Sequence, residues 1–342
     1  MKHDIRILSL VFVLLWGLAW SSAGRASAGN APPEPADEPQ STAETEAEPA
    51  RGTPDTEQTL RVLHGGAIEE MPMDDYLVGV LRAEMPASFE LEALKAQAIA
   101  ARTYTIHKMK DGPIANHPDA DACDDINCCK AYKTADDAAA DWGGMALYYE
   151  EKLARAVAET DGQVVLYGGE PILAVFFSSA NGHTQSAGAV WQSDLPYLQS
   201  VSSPEDEELV PNYYSVETFS AEAFRALFLQ ARPDAELSGS PERWITDVER
   251  SGAGFVTTLS VGGVTVRGNE LRTILGLRSP SFTVEADEAS LTFRVTGYGH
   301  GVGMSQYGAN ALALQGRTAA EILEHYFTGT RVDGYTTDTE MH

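Results

Sequence analysis

Residues 73–107 read MDDYLVGVLRAEMPASFELEALKAQAIAARTYTIH. Tyr76, Leu77, Val80 and Leu81 fall at helical spacing, so Met73 to Glu84 is expected to be a helix with one apolar face. Pro86 ends it, because proline pushes the residue before it into extended backbone. A second helix, rich in Ala and Leu, is expected from about Glu90 to His107. Lys95 and Arg102 lie seven residues apart on it, on one face and two turns apart. Downstream the period changes. Gln163 to Tyr167 and Ile172 to Phe177 flank Gly168-Gly169-Glu170, and Phe255 to Val261 and Val264 to Arg267 flank Gly262-Gly263; both read as β-hairpins. Leu60 to Leu63, Phe282 to Glu285 and Leu291 to Thr296 read as further strands. Tyr149 to Glu159, Phe219 to Gln230, Glu270 to Leu275, Ala309 to Gln315 and Ala319 to Tyr326 read as further helices. There is no βαβ rhythm and no internal repeat. The expected class is α+β, with helices near the N-terminal part and antiparallel strands and hairpins in the remainder.

The ends of the chain read differently from its middle. Lys2 and Arg6 give a basic start, Ile7 to Trp20 is almost wholly apolar, and Ala26-Ser27-Ala28 is a small-residue cleavage pattern. Residues 1–28 are therefore expected to be a signal peptide, with an uncleaved anchor as the other reading. The apolar run is shorter than the roughly twenty residues that span a bilayer. Residues 29–57 are an acidic Pro/Ala/Glu-rich stretch without an aromatic residue, expected to be a disordered linker. Residues 58–331 form the expected folded domain, and 332–342 a polar tail. The chain carries 50 acidic against 24 basic residues and a formal charge of −26. Such a charge repels nucleic acid over long range, so nucleic acid is not an expected partner. An anionic polymer would have to meet a locally basic or neutral groove.

Four places could carry chemistry. Glu84 closes an apolar helix directly before Met85-Pro86. The negative end of the helix dipole and partial burial both raise a carboxyl pKa there, which suits a general acid. Lys95 and Arg102 on the next helix could face it. His117, Cys123, Cys128 and Cys129 gather imidazole and thiols in one loop, a set that suits zinc; a disulfide with one free thiol is the other reading. Asp124 and Asp125 disfavour a cysteine nucleophile. Ser178-Ser179-Ala180-Asn181-Gly182-His183-Thr184 is a polar loop at a strand end, and such loops often line sites. No glycine elbow supports a Ser179/His183 hydrolase pair. Finally, residues 297–308, GYGHGVGMSQYG, place His300 and Gln306 among five glycines. Glycines permit close approach of a ligand to the backbone, but the run lacks the Gly-Lys-Ser/Thr ending of a phosphate loop.

These pieces, in this order, resemble the stage II sporulation protein D family, which includes the amidase enhancer LytB. The matching segments are Tyr76-Leu77 to Val80, Glu84-Met85-Pro86, Leu94-Lys95-Ala96-Gln97-Ala98 and Ala101-Arg102-Thr103-Tyr104. Ser178-Ser179 to Gly182-His183-Thr184, Val190-Trp191, Pro196-Tyr197-Leu198 with Val201, the run 299–309, Ile322-Leu323 and His325-Tyr326-Phe327 with Gly329-Thr330 continue the match. The resemblance implies a lytic transglycosylase that cuts peptidoglycan glycan strands between N-acetylmuramic acid and N-acetylglucosamine, favouring strands stripped of stem peptides by an amidase. It implies that Glu84 is the essential acid, with Lys95, Arg102 and Tyr197 in support and Ser178, Ser179, His183, His300 and Gln306 toward the substrate. Gln199 stands where some members carry a basic residue. Zinc-binding members space His, Cys, His and Cys as His117, Cys123, Cys128 and Cys129 are spaced here, with Cys128 replacing a histidine. The alternative is a non-catalytic wall-binding module that stimulates an N-acetylmuramoyl-L-alanine amidase. Either activity belongs outside the cytoplasm, in the periplasm or cell wall. N-terminal sequencing of exported material is expected to begin at or near Gly29; a mature chain that keeps Ile7 to Trp20 would instead be anchored.

Overall fold

The computed structural model describes residues 52–110, 112, 114–126, 128–191, 194–205 and 207–337. The expected signal peptide and most of the expected linker lie outside the described residues. Among the described residues, no helix is long and apolar enough to cross a membrane.

Strand β1 (Thr59–His64) turns through Gly65-Gly66 into β2 (Ala67–Pro72), and helices α1 (Met73–Glu84) and α2 (Leu91–Lys110) follow. A short β3 (Ala122–Cys123) lies parallel to β1. Next come α3 (Ala135–Trp142), α4 (Ala146–Ala158), β4 (Gln163–Tyr167), β5 (Glu170–Pro171), β6 (Phe176–Phe177) and α5 (Ala187–Val190). A second group then runs through β7 (Tyr214–Ser220), α6 (Ala221–Ala231), β8 (Ile245–Arg250), β9 (Val256–Val261), β10 (Val264–Arg267), α7 (Gly268–Leu275), β11 (Phe282–Ala286) and β12 (Ser290–Thr296). The chain returns to the first group with β13 (Met304–Ser305), α8 (Gln306–Leu314), α9 (Ala319–Tyr326) and β14 (Arg331–Gly334).

The class is α+β, as expected, but the helices are not confined to the N-terminal part: α6 to α9 lie in the second half. Among the described residues, apolar side chains gather into two cores. One is built from residues on both sides of the second group, from Leu60 to Leu198 and from Val302 to Phe327. The other lies wholly inside it, from Phe224 to Leu277 and from Phe282 to Val295. The second group is thus an inserted lobe, and its two ends are neighbours, since Tyr214 pairs with Thr296 across the β7–β12 ladder.

Several boundaries move for identifiable reasons. Helix α1 ends at Glu84 because Met85, before Pro86, is extended at φ −121° and ψ 142°. The expected helix from Phe219 starts only at Ala221, where the Ser220 hydroxyl accepts the Ala223 amide at 3.2 Å; Phe219 is still in β7. The expected strand Ile172 to Phe177 is broken, and β6 leaves its hairpin to pair parallel with β13. Strand β2 gave no sequence signal, because Ala67, Ile68, Glu69 and Glu70 are all exposed and no alternation results.

The centre of the first core is α2, from which twelve residues are buried. One of them is Arg102, the largest side chain that is fully buried. Its Nε and Nη2 donate to the two carboxylate oxygens of Asp55 at 2.7 and 2.5 Å, and its Nη1 donates to the Gln163 carbonyl at 3.1 Å. The fold therefore reaches upstream of Gln58 into the stretch expected to be linker. It also reaches downstream of Arg331: β14 pairs with β4, and Tyr335 exchanges backbone hydrogen bonds with Gly162 and Thr53. Replacing Asp55 by Ala strands a guanidinium in the core, and breaking one partner of such a pair costs about 3–5 kcal/mol. Thermal or denaturant unfolding of Asp55→Ala is expected to show a loss of that size; a loss below about 1 kcal/mol would mean that water reaches Arg102.

Candidate active site and metal cluster

Glu84 stands at the rim of a cavity of about 460 Å³. One wall comes from the first core: Glu84 itself, Tyr104 on α2, Cys129 and Lys130 from the cysteine loop, and Phe176 and Ser178 around β6. The facing wall comes from the inserted lobe and the glycine run, with Arg272 on α7, Tyr298, Gly299 and His300, and Gln306 closes it at the start of α8.

The segment after the cysteine loop holds the Glu84 carboxylate. Its Oε1 accepts the Ala131 backbone amide at 2.9 Å. Ala131 is placed there because the neighbouring chain lies flat on α1. The Lys133 amide donates to the Gly79 carbonyl at 3.1 Å, and the Tyr132 ring occupies the space that a Cβ at Gly79 would need. Burial pushes the Glu84 pKa up; the Ala131 amide, the Lys130 charge and a hydrogen bond from Gln306 oppose the shift. Lys130 is buried, with its Nζ 3.1 Å from the centroid of the Tyr104 ring and 5.7 Å from that of Phe176. Burial pulls its pKa well below the usual lysine range, against the opposing field of Glu84.

The loop itself brings His117, Cys123, Cys128 and Cys129 together, with one ligand atom of each within 4.8 Å of all the others. Pairing of β3 with β1 places Cys123. Cys128 and Cys129 both donate their amides to the Asp125 carbonyl, at 3.0 and 2.8 Å, and this tight turn lets adjacent side chains point the same way. His117 Nδ1 donates to the Ala120 carbonyl at 3.0 Å, which leaves Nε2 as the free acceptor 3.4 Å from each of the Cys128 and Cys129 sulfurs. All three cysteines are free thiols. The cluster can hold a metal ion.

The structure does not bring Lys95 and Arg102 to Glu84. They share a face of α2, as their spacing requires, but it is the wrong face. Tyr104 lines the cavity, and at 3.6 residues per turn Arg102 points about 200° away from it and Lys95 about 180°. Lys95 pairs with Glu92 at 2.8 Å and Glu159 at 2.5 Å, linking α2 to α4. Tyr197 is buried away from the cavity, its hydroxyl accepting the Leu173 amide at 3.2 Å. Ser178, His300 and Gln306 do line the cavity, whereas Ser179 is buried in a backbone bridge to Tyr298 and His183 opens on a different hollow beside Gln185 and Ser251. His300 is spent on structure: Nε2–H donates to the Phe176 carbonyl and Nδ1 accepts the Val302 amide, both at 3.1 Å. Burial and the nearby Arg272 pull its pKa down to about 4, so it is neutral near pH 7. Beside it, Gly303 has φ +79° and a Cβ there would collide with the Val175 carbonyl, so the run must be glycine where it crosses the strand.

Sequence reasoning missed Lys130, Tyr104 and Arg272 as cavity residues. Tyr104 was visible as part of a matching segment, but Lys130 and Arg272 reach the cavity only through long-range folding and carry no local signal.

Comparison with known proteins follows this geometry. A family model described as stage II sporulation protein matches residues 64–167, the segment that contains Glu84 and the histidine–cysteine cluster. The chain is 39% identical over 269 residues to stage II sporulation protein D of Bacillus subtilis (strain 168), covering 78% of this chain and 76% of that protein. It is 36% identical over 267 residues to stage II sporulation protein D of Bacillus amyloliquefaciens, covering 78% and 75%. An amidase enhancer of Bacillus subtilis (strain 168) is 30% identical over 307 residues, covering 76% of this chain but 40% of that protein.

Anaerobically purified protein is expected to carry about one metal ion per chain at this four-ligand set. Cys123→Ser should lower metal content and thermal stability together. Metal-free wild type with two of its thiols oxidised would mean a disulfide instead.

Proposed function

Because the chain belongs to the stage II sporulation protein D family, we propose that it is an exported peptidoglycan lytic transglycosylase with Glu84 as its general acid and base. The observation that carries this reading is a half-buried carboxyl, raised in pKa, at the wall of a cavity of about 460 Å³. Protonated Glu84 donates to the glycosidic oxygen as the bond from muramic acid C1 breaks. The 6-hydroxyl of the same sugar attacks C1, and the Glu84 carboxylate takes the proton from that hydroxyl. The product is a 1,6-anhydromuramyl end. No water and no second carboxylate are needed, unlike ordinary glycosidases. Lys130, held over the Tyr104 ring, stabilises the carboxylate that exists between the two proton transfers.

The cation in this reading is zinc. A tetrahedral zinc with bonds of about 2.0 Å to nitrogen and 2.3 Å to sulfur separates such ligands by roughly 3.5 Å, and the two His117–sulfur distances are 3.4 Å. Bound there, zinc would draw the loop together. The loop's own residues, Lys130 and Ala131, then keep the Glu84 carboxylate in place. Lys95, Arg102 and Tyr197 support the site as positioning residues that act through the placement of α2 and β6.

The test is amidase-treated peptidoglycan analysed by mass spectrometry. Wild type should release 1,6-anhydromuramyl ends. Glu84→Gln should still bind peptide-free strands while its rate falls about 10²–10⁴-fold. The wild-type rate should fall as pH rises through the raised Glu84 pKa, because only the protonated form can donate. Reducing ends in place of anhydro ends would make the protein a muramidase. No cleavage by metal-loaded wild type, together with faster hydrolysis by an added amidase, would make it the enhancer that one relative's name describes.

A further inference from the structure

Arg272, on α7 of the inserted lobe, lines the same cavity as Glu84, and neither the proposed catalytic cycle nor the fold accounts for its charge. Its Nε donates to the Arg278 carbonyl at 3.1 Å, and the same carbonyl accepts the Gly299 amide at 2.8 Å. The guanidinium is thereby fixed to the glycine run, with its two Nη groups left over. Among the described residues, no carboxylate forms an ion pair with it. Arg272 is half-buried, and what sets it apart from other arginines without an acidic partner, such as Arg267, is that it lines the cavity that holds Glu84. The other basic residue of the lining, Lys130, is buried over the Tyr104 ring. The lining residues thus offer one carboxylate, Glu84, and two basic side chains, of which Lys130 is buried and Arg272 is partly open.

We propose that Arg272 reads the free lactyl carboxylate of peptide-stripped muramic acid, through a paired hydrogen bond from its two Nη groups. This rests on the glycan-cleaving reading and adds its substrate determinant. In an intact strand the lactyl group ends in an amide to the stem peptide, which is neutral and bulky. Once the peptide is removed it ends in a carboxylate, which a guanidinium binds with two parallel charge-assisted bonds. A lysine could supply the charge but not the fork. The preference for denuded strands is then written on the inserted lobe, on the wall opposite the acid.

The test uses the full chain carrying Glu84→Gln, so that substrate survives, and two probes. One is a peptide-free N-acetylglucosamine–N-acetylmuramic acid tetrasaccharide with free lactyl carboxylates; the other is the same sugar converted to methylamides. With Arg272 intact, the free acid should bind about 10- to 100-fold tighter, the range expected for hydrogen bonds to a charged group. Adding Arg272→Gln should bring the ratio to about one, and Arg272→Lys should leave an intermediate preference. Equal weakening of both probes by Arg272→Gln, or a ratio near one with Arg272 intact, would overturn the assignment while leaving glycan binding in place. Failure of both probes to bind the Arg272-intact protein would overturn the glycan reading itself.

Discussion

An arginine in the middle of a buried helix is the constraint on which this structure turns. Removing a guanidinium from water is costly unless a carboxylate and further acceptors receive it. Arg102 is received by Asp55 and the Gln163 carbonyl. That requirement folds the segment before β1 back against α2, and it fixes the rotation of α2 about its own axis. With Arg102 turned toward Asp55, Gln97 and Tyr104, seven residues apart, face the other way. Tyr104 becomes cavity wall, and Gln97 accepts a hydrogen bond from Gln306 at 3.4 Å. One buried ion pair thus decides which side of the central helix faces the cavity.

The acid depends on a second, independent arrangement. Glu84 ends its helix where Pro86 dictates, but the direction of its carboxylate is set by a chain segment some fifty residues later. The Ala131 amide belongs to a stretch with the metal cluster on one side and Tyr132 seated against Gly79 on the other. Cys129 lines the cavity and the Ala131 amide donates to Glu84, so the His/Cys cluster stands two residues from the amide that holds the carboxylate.

Much of this was legible in the sequence, and the unreadable parts share a cause. The limits of α1, the glycine run and the histidine and cysteine spacing are local patterns, and each sits where local physics puts it. The common face of Lys95 and Arg102 was equally legible. Which way that face points was not, because the answer lies in Asp55, within a stretch whose composition reads as linker. Lys130 follows a pair of cysteines, and Arg272 lies on a short amphipathic helix. Nothing within ten residues of either distinguishes it from a solvated base. Strand β2 escaped for the opposite reason: its pairing with β1 is regular, but both of its faces meet water, so no alternation marks it.

The inserted lobe leaves and rejoins the first core through a pair of adjacent residues, Tyr214 and Thr296. An insertion hinged on one such pair can be enlarged, trimmed or exchanged without re-threading the host. Its own core, from Phe224 to Val295, goes with it. The cavity is therefore a joint between two inheritable parts, one carrying Glu84 and the histidine–cysteine loop, the other a replaceable wall. Descendants of this architecture could change what the cavity accepts by swapping that wall while Glu84 and the groups that hold it stayed as they were.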